Sequence, residues 1–250
     1  MTKKLKRTLV SGSSSGLGFQ IAKLLWENGC QIVLNGRDRR KLEISASKLG
    51  NCCYVVGDVS VSDDARRVIS ESKGMLGGLD CLVCNVGSGK SVPPGMETPE
   101  EWGRIFSINF WSTVHLVSAA ENELELSKGA VVCISSICGM EVIPGAPITY
   151  SVAKAALNSY IRGIARPLAK KGIRINGIAP GNLMFHGSVW EKKKQENPEK
   201  IEKMLQDNVP LGCFGTGDEI GRLVHHLGFD QSMFTTGSIW VVDGGQTRAF

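Results

Sequence analysis

Two hundred and fifty residues are enough for one compact domain with a large buried core. With 42% apolar residues, 21% charged residues and 30 glycines, the composition excludes a disordered, collagenous or coiled-coil chain. A net charge of +5 permits anionic partners without requiring nucleic acid.

The cysteines at 30, 52, 53, 81, 84, 133, 138 and 213 stand mostly in apolar runs, where cysteine behaves as a small hydrophobe. The basic start loses its apolar run after Leu9-Val10. No stretch approaches the roughly 18 continuous apolar residues of a membrane span. The expectation is a cytoplasmic protein without a signal peptide or membrane contact.

Thr8-Leu9-Val10 predicts a short buried strand. It passes into a glycine-rich turn over Gly12 to Gly18, then a helix with Leu17, Ile21, Leu24 and Leu25 on one face. Gln31 to Leu34 predicts a second strand, turned by Asn35-Gly36-Arg37-Asp38 into a polar helix ending near Lys48. Cys53 to Val56 predicts a third, ended by Gly57-Asp58, with a helix from about Ser62 to Lys73. Leu79 to Val83 predicts a fourth, with Asn85-Val86-Gly87 at its carboxyl end and a loop from Ser88 to Pro99.

Trp102 to about Leu126 predicts one long helical region, and Ala130 to Ile134 a fifth strand. A loop containing Pro144 and Pro147 leads to a helix from about Thr149 to Lys170, whose last turns Pro167 should bend. Ile173 to Ile178 predicts a sixth strand, closed by Ala179-Pro180-Gly181. A polar helical excursion over 186–208, a helix near 216–229 and a strand from Ser238 to Val242 complete the chain. Alternating strands and helices imply an α/β domain over 1–250, its mostly parallel sheet covered on both faces. Within it, 183–208 is the expected substrate-binding lid.

The turn Gly12-Ser13-Ser14-Ser15-Gly16-Leu17-Gly18 follows a strand and opens a helix. Its glycines let backbone approach a pyrophosphate, and the helix start offers unpaired amides and the positive end of its dipole. Arg37 follows the second strand, where an acidic residue would grip ribose hydroxyls; its donor fork suits a 2'-phosphate, favouring NADP(H) over NAD(H). Asp58 either accepts from an adenine amino group or caps the next turn. Asn85 and Gly87 stand where ligands collect, outside the carboxyl ends of parallel strands.

Ser136 ends the fifth strand, while Tyr150 and Lys154 are four apart on one helical face. A nearby ammonium would lower the phenol's pKa, letting it exchange a proton with a carbonyl oxygen that Ser136 also holds.

Together these motifs resemble those of the classical short-chain dehydrogenase/reductase family from Leu9 to Gly245. Its glycine motif matches Gly12, Gly16 and Gly18, its Tyr-x-x-x-Lys matches Tyr150 and Lys154, and its serine and asparagine match Ser136 and Asn109. Asp58, Asn85, Gly87, Pro180-Gly181 and Val242-Asp243-Gly244-Gly245 follow in order. The resemblance implies a Rossmann-like three-layer fold with seven strands in the order 3-2-1-4-5-6-7 and a nicotinamide-dependent oxidoreductase. Tyr150 would be general acid/base, Lys154 would hold the nicotinamide ribose and lower the tyrosine pKa, and Ser136 would orient the substrate oxygen. Asn109 would support a relay water through an irregularity in its helix.

The expected cofactor set is Gly12, Ser14, Ser15, Gly16, Leu17, Gly18, Arg37, Asp58, Val59, Asn85, Gly87, Pro180, Gly181 and Leu183, with Tyr150 and Lys154. The resemblance also implies a homotetramer, with helices bearing Asn109 and Tyr150 at one interface and the last strand and tail, 246–250, at another. Several residues depart from the family pattern. Cys84-Asn85-Val86-Gly87 replaces Asn-Asn-Ala-Gly, Ser11 replaces a threonine, and Ser15 stands where a basic residue often supports NADP. No threonine follows Pro180-Gly181, leaving Asn182 to supply polar contacts. Ser136 and Tyr150 are 14 positions apart, one more than the family spacing.

Met140, Val142, Ile143, Leu183, Met184 and Phe185 are expected to form an apolar substrate pocket, with Asn182 and His186 available for hydroxyls. The resemblance makes a 3-oxoacyl thioester one candidate substrate for ketone reduction or the reverse alcohol oxidation, and a hydroxylated sugar of surface polysaccharide formation is the alternative. A non-catalytic dinucleotide-binding regulator is the alternative from another class. Cys81 and Cys84 should point to opposite faces of a strand, so no metal is expected. His225-His226 should serve packing or solvent, and Phe110 and Trp111 a core or subunit contact. The lysine-rich segment 192–203 lacks the aromatic interleave of a nucleic-acid surface.

Overall fold

The computed structural model describes residues 6–229 and 232–248. Its strands are β1 (Lys6–Val10), β2 (Cys30–Gly36), β3 (Cys53–Val56), β4 (Cys81–Cys84), β5 (Ala130–Ile134), β6 (Arg174–Pro180) and β7 (Ile239–Val242). They form one sheet in the order β3-β2-β1-β4-β5-β6-β7, with every described pairing parallel. Chain order runs outward from β1 to β3 and then resumes on the other side of β1 with β4. That reversal opens a crevice at the carboxyl ends of β1 and β4.

Helices α1 (Gly16–Glu27), α2 (Arg39–Lys48) and α3 (Ser62–Leu76) follow the first three strands. Next come α4 (Pro99–Phe106), α5 (Ser112–Ser127), α6 (Ile148–Lys170), α7 (Val189–Glu196), α8 (Pro198–Asn208) and α9 (Gly217–Gly228). On one sheet face, Leu9, Leu82, Cys84 and Val131 pack with Leu116 of α5 and Leu157 and Ile161 of α6. On the other, Val10, Cys81, Val83 and Val132 pack with Ile21 and Leu25 of α1 and Ile220 and Val224 of α9. β4 is buried throughout, so it reads as a continuous apolar run, and its alternation sends Cys81 and Cys84 to opposite faces.

The structure corrects several boundaries. β4 begins at Cys81, not Leu79, and β6 continues through Pro180, whose strand neighbour is Val242. The long helix expected over 102–126 is α4 and α5 joined by a π-helical turn, Ser107–Trp111. Thr98 starts it by accepting the Glu101 amide, with Pro99 in the first turn. α6 runs on through Pro167 to Lys170. The excursion after Gly181 holds two short helices, but Leu183 is buried and bridges Gly215, so it belongs to the body rather than a lid.

His225 approaches the Lys6 ammonium at 2.8 Å and packs at a tilt against Phe229, while His226 meets Trp240. Phe110 packs edge-on to Tyr160, and Trp111 is exposed. Phe250 of the expected tail interface lies outside the described residues. No described helix is long and apolar enough to cross a membrane.

Candidate active site

The glycine turn lies at the carboxyl end of β1. Gly12 has φ +62° and Gly16 φ +59°, left-handed geometry that glycine adopts without a Cβ penalty. Gly18 is required by space: a Cβ there would lie 2.3 Å from the Gly12 carbonyl oxygen and 2.4 Å from Asn85 Nδ2. Asn85 does more than line the crevice, donating to the Ser11 and Gly12 carbonyls at 3.1 and 3.2 Å while its amide donates to Ser11 Oγ at 3.0 Å. The Ser11 hydroxyl thereby ties the glycine turn to the end of β4. At the start of α1 the Ser15 side chain caps no amide and the first turn holds no acid. Those amides and the helix dipole are left for an anion.

Two cavities, of about 600 and 400 Å³, share Gly12, Ser15, Asn85, Gly87, Ser88 and Lys90 and make one crevice. The larger adds Gly16, Leu17, Gly18, Ser136, Tyr150, Lys154, Pro180, Gly181 and Leu183. The smaller adds Ser14, Gly36, Arg37, Asp58 and Val59. Apart from Asn109, every expected site residue lines it. A nicotinamide dinucleotide fits this lining: uncapped amides for the pyrophosphate, a basic end at Arg37, and glycines where added Cβ atoms would close the cradle.

Arg37 is largely exposed and meets Asp58 at 3.4 Å, a contact worth little in solvent. Asp58 Oδ1 accepts from the Ser60 amide and hydroxyl at 3.0 and 2.6 Å, so the turn-capping reading is observed. Desolvation pushes its carboxyl up, but the Ser60 and Arg37 contacts outweigh it and hold the pKa below its ordinary value.

Ser136 Oγ accepts from the Cys138 amide at 3.2 Å. Lys154 is buried and donates to the Ile134 carbonyl at 2.8 Å, with its ammonium 5.9 Å from the centre of the Tyr150 ring. The expected lowering of the phenol is outweighed by burial. Burial pushes Tyr150 up to about 12, with Ser136 acting the other way, while desolvation brings Lys154 down to about 8. Removing water from both groups costs more than their separation returns.

Asn109 is fully buried in the π-helical turn, behind the crevice wall. Its Oδ1 accepts from the Ser88 amide at 2.9 Å, and its Nδ2 donates to the Ser88 and Ile105 carbonyls at 3.1 Å each. The π-helical turn is the helix irregularity expected at Asn109, and within it the side chain clamps the Ser88 loop. Gly87 separates it from the lysine: a Cβ there would meet Asn109 Oδ1 at 3.0 Å and Lys154 Nζ at 3.3 Å.

The sequence matches the family described as Enoyl-(Acyl carrier protein) reductase over residues 12–247. The chain belongs to the classical short-chain dehydrogenase/reductase family. It is 31% identical to an uncharacterized oxidoreductase of Thermotoga maritima, covering 97% of each chain. It is also 31% identical to glucose 1-dehydrogenase of Gluconobacter oxydans, over 97% of this chain and 92% of that one. An NADPH-bound short-chain oxidoreductase of Pseudomonas aeruginosa PAO1 superposes with a TM-score of 0.90 at 27% identity, covering 99% and 100% of the two chains.

As a short-chain dehydrogenase/reductase the chain has its own crevice walls. Lys90, Arg104 and Trp190 line it without having been singled out in the sequence. Lys90 was visible as the one cation of a glycine-serine loop following a strand; the others had no local signal. Phe185 lies over the glycine turn, where a Cβ on Gly16 would reach it at 3.3 Å.

The six-residue apolar pocket does not assemble as expected. Leu183 and Phe185 line the main crevice, whereas Val142 and Ile143 line other cavities and Val142 is 92% exposed. His186 is exposed and points to Glu191, and Asn182 faces a separate cavity of about 470 Å³.

Proposed function

We propose that this short-chain dehydrogenase/reductase reduces a ketone with NADPH, Tyr150 donating the proton to the carbonyl oxygen. The observation that carries this reading is the convergence of Ser136, Tyr150 and Lys154 in the crevice that also holds the glycine turn. Bound NADPH supplies the hydride. Ser136 holds the substrate oxygen beside the phenol, and the Lys154 ammonium favours the phenolate left after proton donation. Asn109 keeps the Ser88 loop against the lysine, and Leu183 and Phe185 exclude water. Arg37 supports NADPH over NADH because its contact with Asp58 is weak enough to exchange for a 2'-phosphate. The similarity to an NADPH-bound structure agrees with this choice. Family membership further supports a homotetramer.

A hydroxylated ketone is favoured over a 3-oxoacyl thioester by one feature. The 470 Å³ cavity beyond Trp190 is lined by Asn182, Gln206, Asn208 and Gln246, whose amides suit hydroxyl groups.

Loss of NADPH fluorescence across a panel of ketoses and 3-oxoacyl thioesters tests both readings. Tyr150→Phe should retain NADPH affinity and lose roughly 10²-fold in kcat. An unchanged single-turnover rate in Tyr150→Phe would overturn the proton-donor assignment. NADPH binding without oxidation of any panel member's cofactor would point instead to a regulatory role.

A further inference from the structure

One buried amide on α6 stands outside the residues assigned above. Asn158 follows Lys154 by one helical turn and is 2% exposed. Its Oδ1 accepts from the Ser135 hydroxyl at 2.6 Å, and its Nδ2 donates to the Gly139 carbonyl at 3.0 Å and approaches Met140 Sδ at 3.3 Å. These partners flank Ser136 on both sides. Lys154, from the same helix face, takes the Ile134 carbonyl at 2.8 Å. The two side chains thus bracket the serine turn from Ile134 to Met140. Gly139 lets the turn press against the helix, since a Cβ there would lie 2.6 Å from the Lys154 carbonyl carbon.

From this bracket we infer that Asn158 is a positioning residue, pinning the Ser136 turn to α6 so that the Ser136 hydroxyl keeps its place in the crevice wall it shares with the Tyr150 phenol. It rests on the reductase reading above for its kinetic consequence, but the geometry it fixes does not depend on turnover. The pin also explains how the extra residue between Ser136 and Tyr150 is tolerated. Residues up to Met140 are held to the helix, so the added length falls in the outer loop, 141–147, where Val142 is almost fully exposed. A loop of variable length can then shape the substrate wall without moving the serine. Burial makes the amide costly to replace, because a lost partner would strand the Ser135 hydroxyl and the Gly139 carbonyl away from water.

The test uses Asn158→Leu, which keeps volume and removes both bonds, and Ser135→Ala, which removes one. The chain has three tyrosines, Tyr54, Tyr150 and Tyr160, so ¹³Cζ-tyrosine labelling gives three signals, with Tyr150 assigned by Tyr150→Phe. The Tyr150 signal should move in Asn158→Leu and, by less, in Ser135→Ala, while that of Tyr54 stays in place. NADPH Kd should be unchanged and kcat about tenfold lower in Asn158→Leu, the scale of a small misplacement of a reacting group. The alkaline limb of the kcat profile should move up, as the serine hydroxyl that acts to lower the phenol's pKa shifts away from it. A purely structural role would lower Tm and leave the Tyr150 signal and the pH limb where they are; that result overturns the proposal. If Asn158→Leu does not fold, Ser135→Ala decides by the same signal. A moved signal in a protein whose parent reduces no ketone would sustain the pin and refute the reductase reading.

Discussion

Lys154→Met should make the cofactor-free protein more stable at neutral pH while removing its function. Lys154 is 3% exposed, and desolvation brings its pKa from 10.5 to about 8, with the neighbouring Cys133, Cys138 and Cys84 thiols pulling weakly the other way. At pH 7 the group is charged both folded and unfolded, and the displaced pKa corresponds to about 3 kcal/mol of destabilisation. Methionine keeps most of the apolar stem and deletes the charge, but it strands the Ile134 carbonyl that the ammonium now satisfies, a cost of ~1–2 kcal/mol. The net gain is about 1–2 kcal/mol, or a few degrees in Tm for a domain of this size.

The pH dependence fixes the sign. Between about 8 and 10.5 the unfolded chain binds more protons than the folded one, so the parent's stability rises with pH across that window. Below about 8 the full cost remains. Thermal unfolding of both proteins at pH 7 and pH 10 should therefore show Lys154→Met above the parent at the lower pH and the gap closing at the higher. The same variant should bind NADPH more weakly. A Tm below the parent's at pH 7, or a gap independent of pH, would refute the reasoning.

Two further substitutions probe the cofactor cradle. Gly18→Ala places a methyl within 2.4 Å of both the Gly12 carbonyl and Asn85 Nδ2, so NADPH affinity should fall at least about tenfold and stability by ~1–3 kcal/mol. Gly74→Ala, in α3 away from the crevice and with nothing within 4 Å of its Cβ, should leave NADPH affinity unchanged and not lower stability in binding titrations and thermal unfolding. Arg37→Ala should weaken NADPH more than NADH in paired titrations, because one 2'-phosphate contact is lost. Equal weakening would defeat the assignment.

The parallel α/β architecture was legible because most strands are short apolar runs and most helices between them longer amphipathic ones, a contrast written locally. β4 shows why such runs are legible and its ends are not: every residue from Cys81 to Cys84 is buried, while Leu79 and Asp80, equally buried, precede the ladder. The glycine turn was legible for a similar reason, since left-handed backbone at Gly12 and Gly16 leaves a mark on residue type. Tyr150 and Lys154 share a helix face by spacing alone. Their protonation could not be read that way, because desolvation depends on what the rest of the chain places around them.

Tertiary structure also decided which partners the remaining side chains take. Asn109 is held to Ser88 across 21 positions, Asn158 to Ser135 across 23, and Arg37 to Asp58 across 21. The expected apolar pocket failed on the same ground: Val142 and Phe185 are both hydrophobic, but only the fold puts Phe185 over the glycine turn and leaves Val142 in solvent. The amino-acid sequence by itself determined the elements and the residue types that chemistry needs, because propensity and periodicity act over a few neighbours. Burial, charge state and hydrogen-bond partner belonged to the assembled crevice, where strands and helices far apart in the chain set one another's solvent.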